Sequence, residues 1–221
     1  MSIENISGKN LTTRQVNSEI KKALQNNKNE ININNSEELN SIAVGIQEEV
    51  TINLEGEYGD FLGALNDGAK ITLNGNTGKY SGDNMTKGEL IIEGHALDGV
   101  GFGKSNGNIV VKGNAGDAVG QLHKNGAIII DGNIGDLAGL YMLDGDIIIT
   151  GNSGKELGEW MIGGTIYIAG EYQLGYNAKT TEMTSEDEEK LAKLFDQYQI
   201  EKDPKTFTKI VKEQLRPFYG K

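Results

Sequence analysis

Residues 98–107 read DGVGFGKSNG. A phosphate-binding loop has Gly, four residues, then Gly-Lys-Ser/Thr, because backbone amides and the lysine must converge on the phosphates. Gly103, Lys104 and Ser105 supply the last three positions, but Asp98 stands where the first glycine belongs. Such a loop also opens a helix, whose N-terminus faces the anion. Here NGNIVVKG follows, a turn and a strand. The match fails its own structural context, and Lys104 is expected to point to solvent or to a neighbour.

Other reactive groups are sparse. His95 and His123 stand at different places in the chain's repeat and read as lone polar turn residues, not as a pair of imidazoles for zinc. Asp60, Lys79, Asp98, Asp117, Asp136 and Lys155 recur every nineteen residues. Stacked aspartates could bind a hard cation such as Ca²⁺. Their mutual repulsion in water is only about 1 kcal/mol, so a solvated charge ladder with Lys79 and Lys155 at its flanks is the plainer reading; whether Asp98, Asp117 and Asp136 hold a cation stays open. No aromatic-lined groove for sugar accompanies a carboxylate pair, and no Ser-His-Asp arrangement is legible. Cysteine is absent, which removes thiolate nucleophiles, disulfides and cysteine-ligated zinc or iron–sulfur clusters. No catalytic, cofactor-binding or metal-binding residue is assigned.

The elements behind these residues come from a repeat. Gly56, Gly75, Gly94, Gly113, Gly132, Gly151 and Gly170 are nineteen residues apart. Three residues into each unit comes another glycine, with Leu97 the exception. Seven residues in, Gly63, Gly82, Gly101, Gly120, Gly139 and Gly158 follow without exception. A further glycine lies thirteen in, except that Gly68 falls one place early. Each unit closes on a β-rich run: KITL, ELII, NIVV, AIII, DIII, TIYI. Some fourteen residues between strands are too few for a helical crossover. They suit an all-β solenoid, a parallel β-helix with nineteen-residue, glycine-rich coils.

Stacking then assigns columns. Ile71, Leu90, Ile109, Ile128, Ile147 and Ile166 form one inward column, and Leu73, Ile92, Val111, Ile130, Ile149 and Ile168 a second. The structural glycines mark corners. Asn114, Asn133 and Asn152 predict a ladder in which each side chain bonds to the next coil. Between the inward columns, Ile91, Val110, Ile129, Ile148 and Tyr167 face outward. Such a stripe exceeds what a monomer usually leaves bare, so it is a candidate partner-facing surface unless the chain's own terminal helices cover it.

The 221 residues divide into an N-terminal arm with a helix (1–30), a β-helix (31–174) and a helical tail (175–221). Within the β-helix, lead-in strands occupy 31–55, with EININN, SIAVGI and EVTINLE as candidates, and six coils occupy 56–169. Thr12 or Thr13 caps a first helix with Val16, Ile20 and Leu24 on one face. TSEDEEKLAKLFDQYQ (184–199) has a capping-box start and turns Leu191, Leu194, Phe195 and Tyr198 inward. A last helix is expected from Asp203-Pro204, carrying Phe207, Ile210, Val211 and Leu215. The net charge of -11 disfavours nucleic acid and anionic membranes. With no apolar run near ~20 residues and no signal-peptide layout, a cytoplasmic protein is expected.

The register, with LTTRQVNSEI (11–20), SIAVGI (41–46), GDFLGALNDG (59–68), GDNMTKG (82–88) and GEWMIGG (158–164), resembles the GXGXG domain at the C-terminus of the glutamate synthase large subunit. Its archaeal-type form is a separate chain, and one component of formylmethanofuran dehydrogenase is a relative. The resemblance implies a right-handed parallel β-helix, flanked by short N- and C-terminal α-helices, in a supporting role. FMN and an iron–sulfur cluster are then expected in a partner subunit and none in this chain. The implied partners are glutamate synthase-type catalytic and amidotransferase subunits, with a homo-oligomer also open. Equivalent scaffolding in formylmethanofuran dehydrogenase or N-methylglutamate synthase, and a free-standing carbohydrate-binding β-helix, are the alternatives.

Overall fold

A computed structural model of the chain describes residues 2–34 and 38–214. In chain order the elements are β1 (Ile3–Ser7), α1 (Thr13–Gln25), β2 (Glu30–Asn34), β3 (Thr51–Glu55), β4 (Asp67–Asn74), β5 (Lys87–Ile92), β6 (Asn108–Val111), β7 (Ala127–Ile130), β8 (Asp146–Ile149), β9 (Thr165–Ile168), β10 (Ala178–Thr181), α2 (Ser185–Tyr198) and β11 (Thr208–Lys212). Among the described residues eleven strands make one sheet, ordered β1 through β9, then β11, then β10. From β1 to β9 every pairing is parallel, with equivalent repeat positions in register. The fold is a parallel β-solenoid.

Both predicted inward columns are buried throughout, and Ile31, Ile52, Ile33 and Leu54 extend them downward. Each such side chain contributes about 1.5–3 kcal/mol of burial. The corners carry strain: Phe61, Tyr80, Ala118, Leu137 and Glu156 have left-handed φ, as do Leu65, Asn84, Leu122, Tyr141 and Trp160. A side chain in this region costs roughly 1–2 kcal/mol. What holds it there is the stack, since the N–H groups of these residues other than Glu156 donate to a carbonyl one coil on, for example Tyr80 to Asp98 and Leu122 to Leu140.

Thr12 starts α1 through a capping box with Gln15, which buries Val16, Ile20 and Ala23 against one end of the core. Asn17 ties the helix to the first corner, donating to Ser41 O (2.7 Å) and accepting from Ala43 N (3.1 Å). At the opposite end β11 pairs antiparallel with β9 and sets Ile210 over Ile166.

Three expectations are corrected. SIAVGI is not a strand: Ser41, Ala43 and Gly45 have left-handed φ and form a corner like those of the coils. The N-terminal arm contains a strand, β1, which α1 connects to its parallel neighbour β2. After Asp203 there is only a 3-10 turn, Pro204–Thr206, before β11; the exposed edge of β9 recruits Thr208–Val211 by backbone pairing, and Leu215 lies outside the described residues.

Candidate functional site

Lys104 is the first surprise: it does not point to solvent. It is fully buried, and its Nζ donates to Asn125 O at 2.7 Å. His123, the next residue in the same column, is equally buried, its ring nitrogens facing Lys104 O (3.3 Å) and Gly126 O (3.2 Å); a neutral ring donates to one of the two. Burial pulls Lys104 down to about 7, with Asp146 opposing. Burial and the Lys104 charge pull His123 down to about 4.

The frame explains both. Asn66, Met85, Lys104, His123, Met142 and Met161 occupy one interior corner column, all buried. Each of the first five fills the space beneath a glycine of the next coil. A Cβ on Gly88, Gly107, Gly126, Gly145 or Gly164 would lie 2.5–2.9 Å from Asn66 Nδ2, Met85 Cε, Lys104 Nζ, His123 Nε2 or Met142 Cε, respectively. Unbranched or planar side chains, polar or not, can take this role. The histidines are unrelated: His95 is exposed and stands in the asparagine ladder, its Nδ1 accepting from Asn114 N at 2.9 Å.

The ladders are built from side chain to backbone. Asn114, Asn133 and Asn152 each accept, through Oδ1, the N–H of the residue one coil on, at 2.8 Å, as predicted. The aspartate column does the same work. Asn40, Asp60, Asp98, Asp117 and Asp136 accept from the N–H of Asp60, Lys79, Asp117, Asp136 and Lys155 at 2.7–3.1 Å. A Cβ on Gly59, Gly78, Gly116, Gly135 or Gly154 would lie 1.8–2.3 Å from these same oxygens. Lys79 and Lys155 offer no such oxygen, and there the following coil carries Leu97 and Gln173 instead of glycine. The exception at Leu97 is therefore the rule obeyed: an Asx side chain in one coil demands glycine in the next. Lys79 instead pairs with Asp98 Oδ2 at 2.9 Å.

The corner glycines behave similarly. Gly101 has φ of +68°, and a Cβ there would lie 2.5 Å from Ile128 Cδ1, so both backbone and packing require glycine.

The outward stripe is covered from within, which corrects its reading as partner-facing. Val110, Ile129, Ile148 and Tyr167 are fully buried in a second core with Leu191, Phe195 and Tyr198 of α2, plus Ile200 and Phe207; Ile91 packs at its margin. The reason is dimensional: fourteen helical residues span about 21 Å, matching four coil spacings of about 4.8 Å each. Polar latches fix both ends. Tyr167 Oη donates to Asp187 Oδ1 (2.5 Å), and Lys209 Nζ to Asp187 Oδ2 (2.7 Å). Burial would raise the Asp187 carboxyl, but the Lys209, Tyr167 and Thr184 hydrogen bonds hold it well below the usual range. At the other end Tyr198 Oη donates to Glu89 Oε1 (2.7 Å) and accepts from Asn108 (2.9 Å), and Lys112 donates to Tyr198 O. Midway, Lys190 grips both oxygens of Asp146 (2.8 and 3.0 Å) beside a cleft that Asn125 and Gly126 also line.

Among the described residues no three His, Cys, Asp or Glu side chains are grouped to hold a metal ion, and no helix is long and apolar enough to cross a membrane. The columns thus define a glycine-coil β-solenoid whose recurrent polar side chains bind its own backbone. More particularly, the chain belongs to the GXGXG motif family, which matches residues 3–216. No curated protein matches the chain.

Proposed function

We propose that this chain is a non-catalytic assembly subunit of a glutamate synthase-type, flavin-dependent oxidoreductase complex serving glutamate biosynthesis in the cytoplasm. The match to the GXGXG motif family over residues 3–216 carries this reading. The engagement of the aspartate, asparagine, Lys104 and His123 side chains in the chain's own framework supports it. Flavin and iron–sulfur chemistry would then belong to the catalytic chain, since this one has no cysteine to ligate a cluster. Amide transfer from glutamine would belong to a third chain with its own nucleophile. The solenoid would act by rigidity, a prism of about 4.8 Å per coil against which other subunits keep a fixed separation. Affinity purification of the chain from its native cells is expected to bring down a synthase-type and an amidotransferase chain. Recovery of neither overturns the reading.

A further inference from the structure

Four large apolar side chains exposed on the described surface lie on the first three coils: Leu65 (53% exposed), Leu97 (52%), Phe61 (39%) and Tyr80 (38%), while Ile3, Leu143 and Tyr176 are exposed singly elsewhere along the chain. Phe61 and Tyr80 stack at 5.3 Å with planes 14° apart, and Tyr80 meets Phe102 edge-on at 6.2 Å. The Tyr80 ring lies over Gly99, where a Cβ would come within 2.5 Å of it. Leu65 joins the same surface through the stack, its N–H bonding Asp83 O while Asn84 N bonds Phe102 O.

The solenoid does not need these side chains. Phe61's place is filled by Gly99, Ala118 and Glu156 as well as by Tyr80 and Leu137, and Leu65's place by Asn84 and Gly103 as well as by Leu122, Tyr141 and Trp160. Leu97 occupies the one coil between Gly59 and Gly154 where the glycine demand is lifted, because Lys79 has replaced the aspartate beneath it. That freedom is used to expose a leucine two residues before Gly99, over which the Tyr80 ring lies. Contiguous apolar surface of this kind, rimmed by charge, marks a protein interaction site, and aromatic anchors are the residue types that dominate binding energy.

Charge selects the occupant. Asp60 adjoins Phe61, Asp83 binds Leu65 through the backbone, and Asp98 is shared with Lys79. A second copy would oppose carboxylate to carboxylate, on chains whose net charge is already -11. We propose that Phe61, Leu65, Tyr80, Leu97 and Phe102 form the docking surface for a different protein, one presenting an apolar projection flanked by lysine or arginine. This rests on the assembly role above, so the catalytic or amidotransferase chain is that protein.

The test borrows residues from neighbouring coils, which keeps the framework intact. Leu65→Asn, Tyr80→Gly and Leu97→Gly copy Asn84, Gly99 and Gly116. Full-length wild type and the triple variant are titrated calorimetrically with the purified flavin-dependent chain and the purified amidotransferase chain of the same organism. A loss of at least about tenfold in affinity for one of them, at unchanged melting temperature, is expected; Asp83→Lys, outside the aspartate ladder, should also weaken binding and flatten its salt dependence. Equal binding by wild type and triple variant overturns the docking surface and leaves the assembly role standing. Binding of neither chain by wild type overturns both. Wild-type self-association in sedimentation velocity, dispersed by the triple variant, reassigns the face to a second copy and overturns the heterologous partner.

Discussion

One outward column runs the length of the sheet and changes character halfway. From β1 to β4 it reads Asn5, Asn32, Asn53, Thr72; from β5 to β9 it reads Ile91, Val110, Ile129, Ile148, Tyr167. The backbone is the same parallel ladder in both halves. In the polar half the amides satisfy each other, Asn53 Nδ2 to Asn32 Oδ1 (2.8 Å) and Asn32 Nδ2 to Asn5 Oδ1 (3.0 Å), and the face is an open shallow cleft. In the apolar half α2 lies on the stripe. The sheet itself therefore does not decide where the helix docks. Side chains at five positions do, and the helix ends where they end, at Glu89 and Tyr198.

The strongest way to break this contrast is a charge under the helix. Ile129→Asp would bury an unpaired carboxylate against Leu191 and Phe195, at a cost of about 4 kcal/mol. Amide exchange should accelerate across Ser185–Tyr198 while β2 and β3 keep their protection. Equal loss in both halves would show that the two regions are not energetically separate.

The covered half also holds the titratable interior. Lys104 and His123 are depressed, to about 7 and about 4, so in each case the unfolded chain binds more protons between the shifted and ordinary values. Stability should then rise with pH from about 4 to 6.5 through His123, and from about 7 to 10.5 through Lys104, by a few kcal/mol in the latter window. Lys104→Met, copying Met85 and Met142, is expected to remove the upper rise in denaturant titrations across that range. An unchanged slope would place the sensitivity elsewhere.

What is legible in the sequence follows the same division. Register, both inward columns and the asparagine ladder can be read because nineteen-residue repetition averages out local ambiguity, and α2, outside the repeat, because its capping box and four apolar side chains at helical spacing span a long segment. Short features that occur once cannot. TKIVK has too few residues for its period to separate strand from helix, and only the edge of β9 decides it. Lys104 reads as exposed because a lysine is seldom buried. Its column-mates Met85 and Met142 are the signal that this position faces inward. The pairing of Asx with the next coil's glycine is also present in the sequence, in Lys79–Leu97 and Lys155–Gln173, but its cause is a steric approach that only coordinates reveal.

The latch at the top of α2 predicts a middling effect. Tyr167→Phe strips one donor from Asp187 and should cost roughly 1.5–3 kcal/mol. Because the Asp187 carboxyl is held below its ordinary value, its contribution is present above the unfolded carboxylate pKa and is lost as pH falls toward the folded one. Thermal melts below about pH 4 should therefore show wild type and variant converging. A gap that persists into strong acid would mean that Tyr167 acts through packing alone.

The smallest effect sharpens the contrast from its polar side. Replacing Asn5, Asn32 and Asn53 together by valine extends the apolar stripe into the open half. Each lost amide bond is worth about 1 kcal/mol, but its partner leaves with it, and valine gains β-propensity on a pleated surface. Folding stability should consequently change by less than about 1 kcal/mol. Association is where the change should appear, because α2 stops at Glu89 and cannot reach the new patch. Sedimentation velocity is expected to show the triple valine chain self-associating where wild type does not do so through this face. If the variant behaves as wild type does, the asparagines serve strand pairing and not the avoidance of a second sticky surface.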